Sequence, residues 1–151
     1  YNQFYGEDKI NYFSKQHKNY AISSIELFKK NPFFGVGPNN YRRECDSIKL
    51  KYQENNCSTH PHNIFFQLVS ETGSLGIFYY FIINLFIFYK IIKFLFAKKD
   101  NELELFLLLP IFYYMNPFFP SGNFFNNWYT TIGLISLPFY IYLTNKKYSA
   151  K

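Results

Sequence analysis

The run from Ser74 to Phe96, SLGIFYYFIINLFIFYKIIKFLF, constrains the chain more than any other stretch. As a helix it is long enough to cross the hydrocarbon core of a bilayer, which takes about 20 apolar residues. Asn84 is its only strongly polar residue before Lys90. Lys90, Lys93, Lys98 and Lys99 crowd its end, where long cationic side chains snorkel to the headgroups. A second apolar run, about Leu103 to Phe119, is short for a span and carries Pro110, which predicts a kink. The uncharged turn PSGNFFNNW, Pro120 to Trp128, leads to a third run from about Trp128 to Leu143. The pattern predicts an all-α membrane protein with about three transmembrane helices in residues 74–145.

Charge placement sets the expected orientation. The net charge of +6 would suggest nucleic acid if the lysines shared one face, but many sit at the ends of apolar runs, so no nucleic-acid partner is expected. The basic 90–99 link and the tail 146–151, with Lys146, Lys147 and Lys151, are expected in the cytoplasm. Residues 1–73 then form an extracytoplasmic loop domain, and the 117–127 turn lies on the same side. The first residues, YNQFYGEDKINYFSKQHKN, hold no apolar core of a signal peptide and no initiator Met. The chain is therefore read as a C-terminal fragment of a longer membrane protein whose earlier spans are missing.

Within the polar segment, residues 1–18 show no clear period and read as loop or weak helix. Ile22, Ile25, Leu27 and Phe28 predict a helix from about Asn19 to Lys30, stopped by Asn31-Pro32. Gly35, Gly37 and Pro38 force a bent loop, NPFFGVGPNN. A lone GxG lacks the Walker lysine and the dinucleotide fingerprint. Arg42 and Arg43 follow, opening a helix expected to reach Lys51. Cys45 and Cys57 are the two cysteines. With His60 and His62 they match zinc by ligand type, but His-Pro-His is not zinc-finger spacing. In an oxidising compartment a disulfide is the favoured reading.

The polar segment meets the first apolar run at THPHNIFFQLVSETGSLG, Thr59 to Gly76. Pro61 suits a first helical turn, with Thr59 or His60 as N-cap. At about 100° per residue, His62, Phe65, Phe66, Val69, Gly73 and Gly76 share a face, and Asn63, Gln67, Ser70 and Glu71 share another. The glycines predict a second helix approaching closely beside His62. A first-turn position would keep His62 neutral, able to take a proton, and beside N–H groups that bind anions. The ordinary alternative is that His62 merely starts a helix at the surface.

These residues resemble the bacterial O-antigen ligase and O-antigen polymerase family. Its signature H-N-x9-G-x-x-G is matched by His62, Asn63, Gly73 and Gly76. Its upstream phrase NPxxGxGxxxFR is similar to Asn31-Pro32-Phe33-Phe34-Gly35-Val36-Gly37-Pro38 and then Tyr41-Arg42. SGNFFNNW, Ser121 to Trp128, resembles a turn some members carry between late spans. The chain departs from the pattern at His17 and Lys18, where members often carry an arginine, and at Ile77, where a threonine often follows the second glycine.

The resemblance implies a helical bundle like the C-type glycosyltransferases, in the bacterial inner (cytoplasmic) membrane, with its site facing the periplasm. It implies transfer of a glycan from undecaprenyl pyrophosphate to an acceptor hydroxyl on a growing glycan (polymerase) or on lipid A core (ligase), with inversion and with neither metal nor cofactor. Arg42, with Arg43 as fallback, would grip the pyrophosphate through its planar fork. His62 would be the base for the acceptor hydroxyl. Asn63, His17, Lys18, Gly35 and Gly37 are expected to bind substrate, and Gly73, Gly76, Cys45 and Cys57 to shape the fold. No DxD motif is present to hold a metal. Two other readings stay open: a non-catalytic membrane protein that binds lipid-linked glycan, and a metal-dependent membrane enzyme built on His60, His62 and the cysteines.

Overall fold

The computed structural model describes residues 5–6, 9–10, 14–48, 57–96 and 102–149. A two-residue antiparallel ladder, β1 (Tyr5–Gly6) with β2 (Lys9–Ile10), replaces the loop or weak helix expected there. The other described elements are helices: α1 (Lys15–Lys30), α2 (Tyr41–Cys45), α3 (Ile64–Phe96), α4 (Glu102–Tyr114), α5 (Asn127–Leu134) and α6 (Ser136–Ser149).

Helix α1 starts about one turn earlier than its apolar spacing predicts. Ser14 caps it, accepting from the His17 N–H at 3.3 Å. The first turn is polar, so periodicity carries no trace of it. Asn31 ends α1, and Pro32 bars a further turn. Helix α2 stops at Cys45, well short of the expected Lys51; residues 49–51 lie outside the described residues, as do Lys98, Lys99 and Lys151.

Helix α3 is two helices joined at a break. Gly73 takes φ 63° and ψ −149°, a conformation essentially restricted to glycine. The 31–37 loop fills the gap. The N–H groups of Val36 and Gly37 donate to the carbonyls of Ser70 and Glu71, each at 2.9 Å, capping the first half. On the other side, the Pro32 carbonyl accepts from the Ser74 N–H at 2.8 Å and from Ser74 Oγ at 2.7 Å. The orphan groups that two helix ends would otherwise bury are thereby paired. This corrects the expectation of a second helix packed on the glycine face: the close neighbour is a loop. A Cβ at Gly35 would stand 2.4 Å from the Glu71 carbonyl carbon, and one at Gly73 would stand 2.6 Å from the Gly35 nitrogen. Gly76 is helical, with its turn against Thr72.

Two cores result. Leu27, Tyr41 and Cys45 join α1 to α2, with Val36 and Cys57 packed against them. Ile64, Leu68, Tyr80, Ile87, Ile111, Tyr114 and Met115 join α3 to α4. Among the described residues, α3 is the one helix long and apolar enough to cross a membrane. Leu75, Phe78, Tyr79, Phe81, Leu85, Phe86, Phe88 and Tyr89 are exposed along it, a large apolar surface that suits lipid better than water. Helix α4 has 13 residues and stays helical through Pro110. The third apolar run is split at Ile135 into α5 and α6. Pro138 explains the split, because it offers no N–H to the Leu134 carbonyl.

Candidate functional site

The chain has three histidines, and the fold gathers all of them at the head of α3. The His62 ring centre lies 4.2 Å from that of His60, 6.4 Å from that of His17 and 5.5 Å from that of Tyr20. His17 comes from the first turn of α1, where Ser14 Oγ sits 2.8 Å from its Nδ1. One serine therefore caps the helix and orients the ring. Gln16 Nε2 donates to the Tyr20 hydroxyl at 2.5 Å, and Ser58 Oγ lies 3.1 Å from His62 Nε2.

His62 does not lie in the first turn of a helix. Helix α3 begins at Ile64, and Asn63 caps it, its Oδ1 accepting from the Phe66 N–H at 3.2 Å. Thr59, His60 and Pro61 all precede the helix, which corrects the capping role expected of Thr59 or His60 and the first-turn place expected of Pro61. His62 itself has φ 55°, a left-handed conformation uncommon outside glycine, which asparagine, aspartate and histidine adopt more often than other residues. Its carbonyl accepts from the Ser121 N–H at 2.9 Å, and Asn63 Nδ2 donates to the Pro117 carbonyl at 2.7 Å. The 117–121 backbone thus pins the strained position from the far end of the sequence.

The surroundings of His62 nevertheless favour its neutral form. Burial, then the nearby charge of His17, lowers its pKa below the ordinary imidazole value. Burial and then His62 do the same to His60, partly offset by the Ser121 backbone. His60 Nε2 is shut off from solvent with no partner in hydrogen-bond geometry among the described residues, as is Ser121 Oγ.

Behind the histidines, a polar network ties three segments together. Gln67 Nε2 donates to Glu71 Oε2 at 3.0 Å and to Asn123 Oδ1 at 2.6 Å, while Gln67 Oε1 accepts from the Phe124 N–H at 2.8 Å. Glu71 Oε1 accepts from the Tyr41 N–H at 2.8 Å and so anchors the start of α2. Asn123 Nδ2 donates to Asn39 Oδ1 at 3.1 Å. Gln67, Ser70 and Glu71 are fully buried. Sequence reasoning placed Asn63, Gln67, Ser70 and Glu71 on one helix face but assigned Gln67 and Glu71 no role; four polar residues on one face of an otherwise apolar helix was the available signal.

Cys45 and Cys57 are bonded, with Cα atoms 5.7 Å apart. The bond takes both sulfurs out of the zinc donor set considered above. Among the described residues no group of three or more His, Cys, Asp or Glu side chains is placed to hold a metal ion. Closing a loop of this size stabilises the fold by about 3 kcal/mol in the chain-entropy model. The bond also ties α2, with Arg42 three residues before Cys45, to the segment that ends at His62. Arg42 and Arg43 are both exposed on α2. Arg43 pairs with Glu44 at 3.3 Å. No hydrogen bond, ion pair or ring contact among the described residues joins Arg42 to His62. Lys18 is exposed on α1 next to His17. Gly35 and Gly37 lie in the loop that fills the α3 break, and their N–H groups are already used, by Asn31 and Glu71.

Residues 16–81, less than half of the chain, match the family model described as O-antigen ligase. The match runs from the start of α1 through the histidines and past the Gly73 break. It suggests an O-antigen ligase- or polymerase-like glycosyltransferase, and polysaccharide or lipopolysaccharide biosynthesis as the setting. Lipid-linked glycan and an acceptor are the general partners it implies. No curated protein and no solved structure matches the chain.

Proposed function

We propose that this chain carries the catalytic face of a metal-independent, inverting glycosyltransferase that moves a glycan from undecaprenyl pyrophosphate to an acceptor hydroxyl, as an O-antigen polymerase or ligase. The observation that carries this reading is the convergence on His62 of every other histidine, at a position pinned by Ser121 and Asn63. The acceptor oxygen attacks the anomeric carbon while its proton passes to neutral His62. The bond from that carbon to the pyrophosphate oxygen breaks, and the pyrophosphate leaves with the bonding electron pair. Arg42, exposed and without a carboxylate partner among the described residues, offers two parallel donors to that growing charge. Asn63 and the 117–121 backbone hold His62 in place.

Turnover of a lipid-linked glycan by the full-length protein tests the reading. Arg42→Ala is expected to slow it about 10²–10³-fold, the range for losing one charge-stabilising donor. Arg42→Lys is expected to recover little, because an ammonium lacks the planar fork. Full recovery with Lys would reduce Arg42 to general charge attraction. Donor binding with no turnover under any condition would instead favour a non-catalytic carrier of lipid-linked glycan.

The same reading assigns three spans in residues 74–145, with 1–73 and 117–127 on the periplasmic side of the inner membrane and 146–151 in the cytoplasm. The Ser121–His62 backbone bond supports a shared side for the turn and the histidines. Single cysteines at Phe118, exposed in the same turn, and at Ser149, with Cys45–Cys57 left bonded, are expected to react with an impermeant maleimide from opposite sides. Labelling of both from one side would sink this topology.

A further inference from the structure

The loop that fills the α3 break carries Phe33 and Phe34 at its tip, 72% and 75% exposed. Its backbone is bolted to the first turn of the apolar helix: the Pro32 carbonyl holds the Ser74 N–H and hydroxyl, and the Phe33 carbonyl accepts from the Leu75 N–H at 3.5 Å. The rings therefore stand at the depth where residues 74–96 begin. That helix is about 34 Å long at 1.5 Å per residue, against roughly 30 Å of hydrocarbon. Its first turn thus falls within a few ångströms of the hydrocarbon edge. Leu75, Phe78 and Tyr79 continue the apolar surface directly from the loop. Lys30, exposed just ahead of the loop, has a hydroxyl partner, Ser47 Oγ at 2.9 Å, in place of a carboxylate. Its charge is free to meet an anionic headgroup.

We propose that Phe33 and Phe34 insert into the bilayer leaflet that the 74–96 helix enters, making the loop a membrane anchor. It rests on the reading of 74–96 as a span. The anchor has a consequence for the site. Val36 and Gly37, in the same loop, cap the helix half that begins beside the histidines. Two aromatic rings seated at the interface would hold that half, and with it His62, level with the headgroups, where the pyrophosphate of a lipid carrier lies.

Tryptophan substitution conserves ring bulk at these exposed positions, so Phe33→Trp and Phe34→Trp should leave the fold intact. Each would be made in full-length protein lacking Trp128 (Trp128→Phe) and reconstituted in nanodiscs of brominated phosphatidylcholine with phosphatidylglycerol. The emission added by the new tryptophan is expected to fall at least about twofold with bromines near the headgroup, and less with bromines near the chain ends, as for an interfacial aromatic. Phe86→Trp, from the middle of the helix, should show the opposite depth preference. If Phe86→Trp is quenched from depth and the loop tryptophans are not, the anchor is wrong while the span stands, and another segment of protein covers the loop. If Phe86→Trp is not quenched either, the span and the anchor fall together.

Discussion

His62→Ala is expected to lower turnover of a lipid-linked glycan by about 10²–10⁴-fold, the usual contribution of a positioned general base. Alanine also removes a side chain from a left-handed backbone position, where it costs about 1–2 kcal/mol relative to a residue at ease there. A loss of rate with Ala alone would mix chemistry with strain. Asparagine tolerates the left-handed conformation, so His62→Asn isolates the ring. An equal loss with Asn, at wild-type levels of folded protein, assigns the effect to imidazole. Near-normal turnover with Asn would remove His62 from the chemistry and leave it a turn residue.

The pH dependence carries a sign. Burial first and the His17 charge second depress the His62 pKa, so the neutral, proton-accepting form prevails at pH 7 and persists somewhat below the ordinary imidazole value. Activity is expected to fall on acidification, with its midpoint below about 6.5, the unperturbed value. His17→Gln removes the second cause and leaves the first. The acid limb should move modestly towards higher pH, and an unmoved limb would mean that His17 exerts no charge on His62.

Gly35→Ala is the second large effect, and it falls on the fold. The new Cβ would sit 2.4 Å from the Glu71 carbonyl carbon and 2.5 Å from the Thr72 nitrogen, on a backbone with φ 65°. Neither neighbour is a flexible side chain that can swing away. The loop would have to leave the break, unpairing the Ser70, Glu71, Ser74 and Leu75 backbone groups at once. Destabilisation of about 4 kcal/mol or more is expected, in the range reserved for disrupted buried networks. Thermal unfolding in detergent reads it directly. Pro38→Ala, at an exposed position of the same loop, should shift the midpoint little. A midpoint for Gly35→Ala close to wild type would show that the loop does not hold the break.

Much of this architecture was legible in local pattern. Apolar runs marked α3, α4 and the α5–α6 pair, because an apolar run of helical length shows in the sequence without its packing partners. Asn31-Pro32 marked the end of α1, since proline acts on its immediate neighbour. Three motif blocks in order pointed to the family, and two of them lie within residues 16–81, which match its model. Local pattern misled where a cap decided the outcome. Pro61 suited a first turn, yet the helix waits for Asn63, whose side chain reaches both the Phe66 N–H and the Pro117 carbonyl.

The sequence by itself determined which residue types the protein brings to its chemistry and which stretch can lie in a bilayer. It also determined that the chain must bend at glycines. Tertiary structure alone decided what those glycines are for and where the histidines meet. Gly35 and Gly73 are 38 positions apart in number yet share one backbone contact. His17 stands on a different helix from the segment bearing His60 and His62, and Ser121 reaches His62 from beyond α4. Such meetings are set by hydrogen bonds that close only once helix ends, loop and distal turn are packed together. No periodicity along the chain encodes a partner that far away.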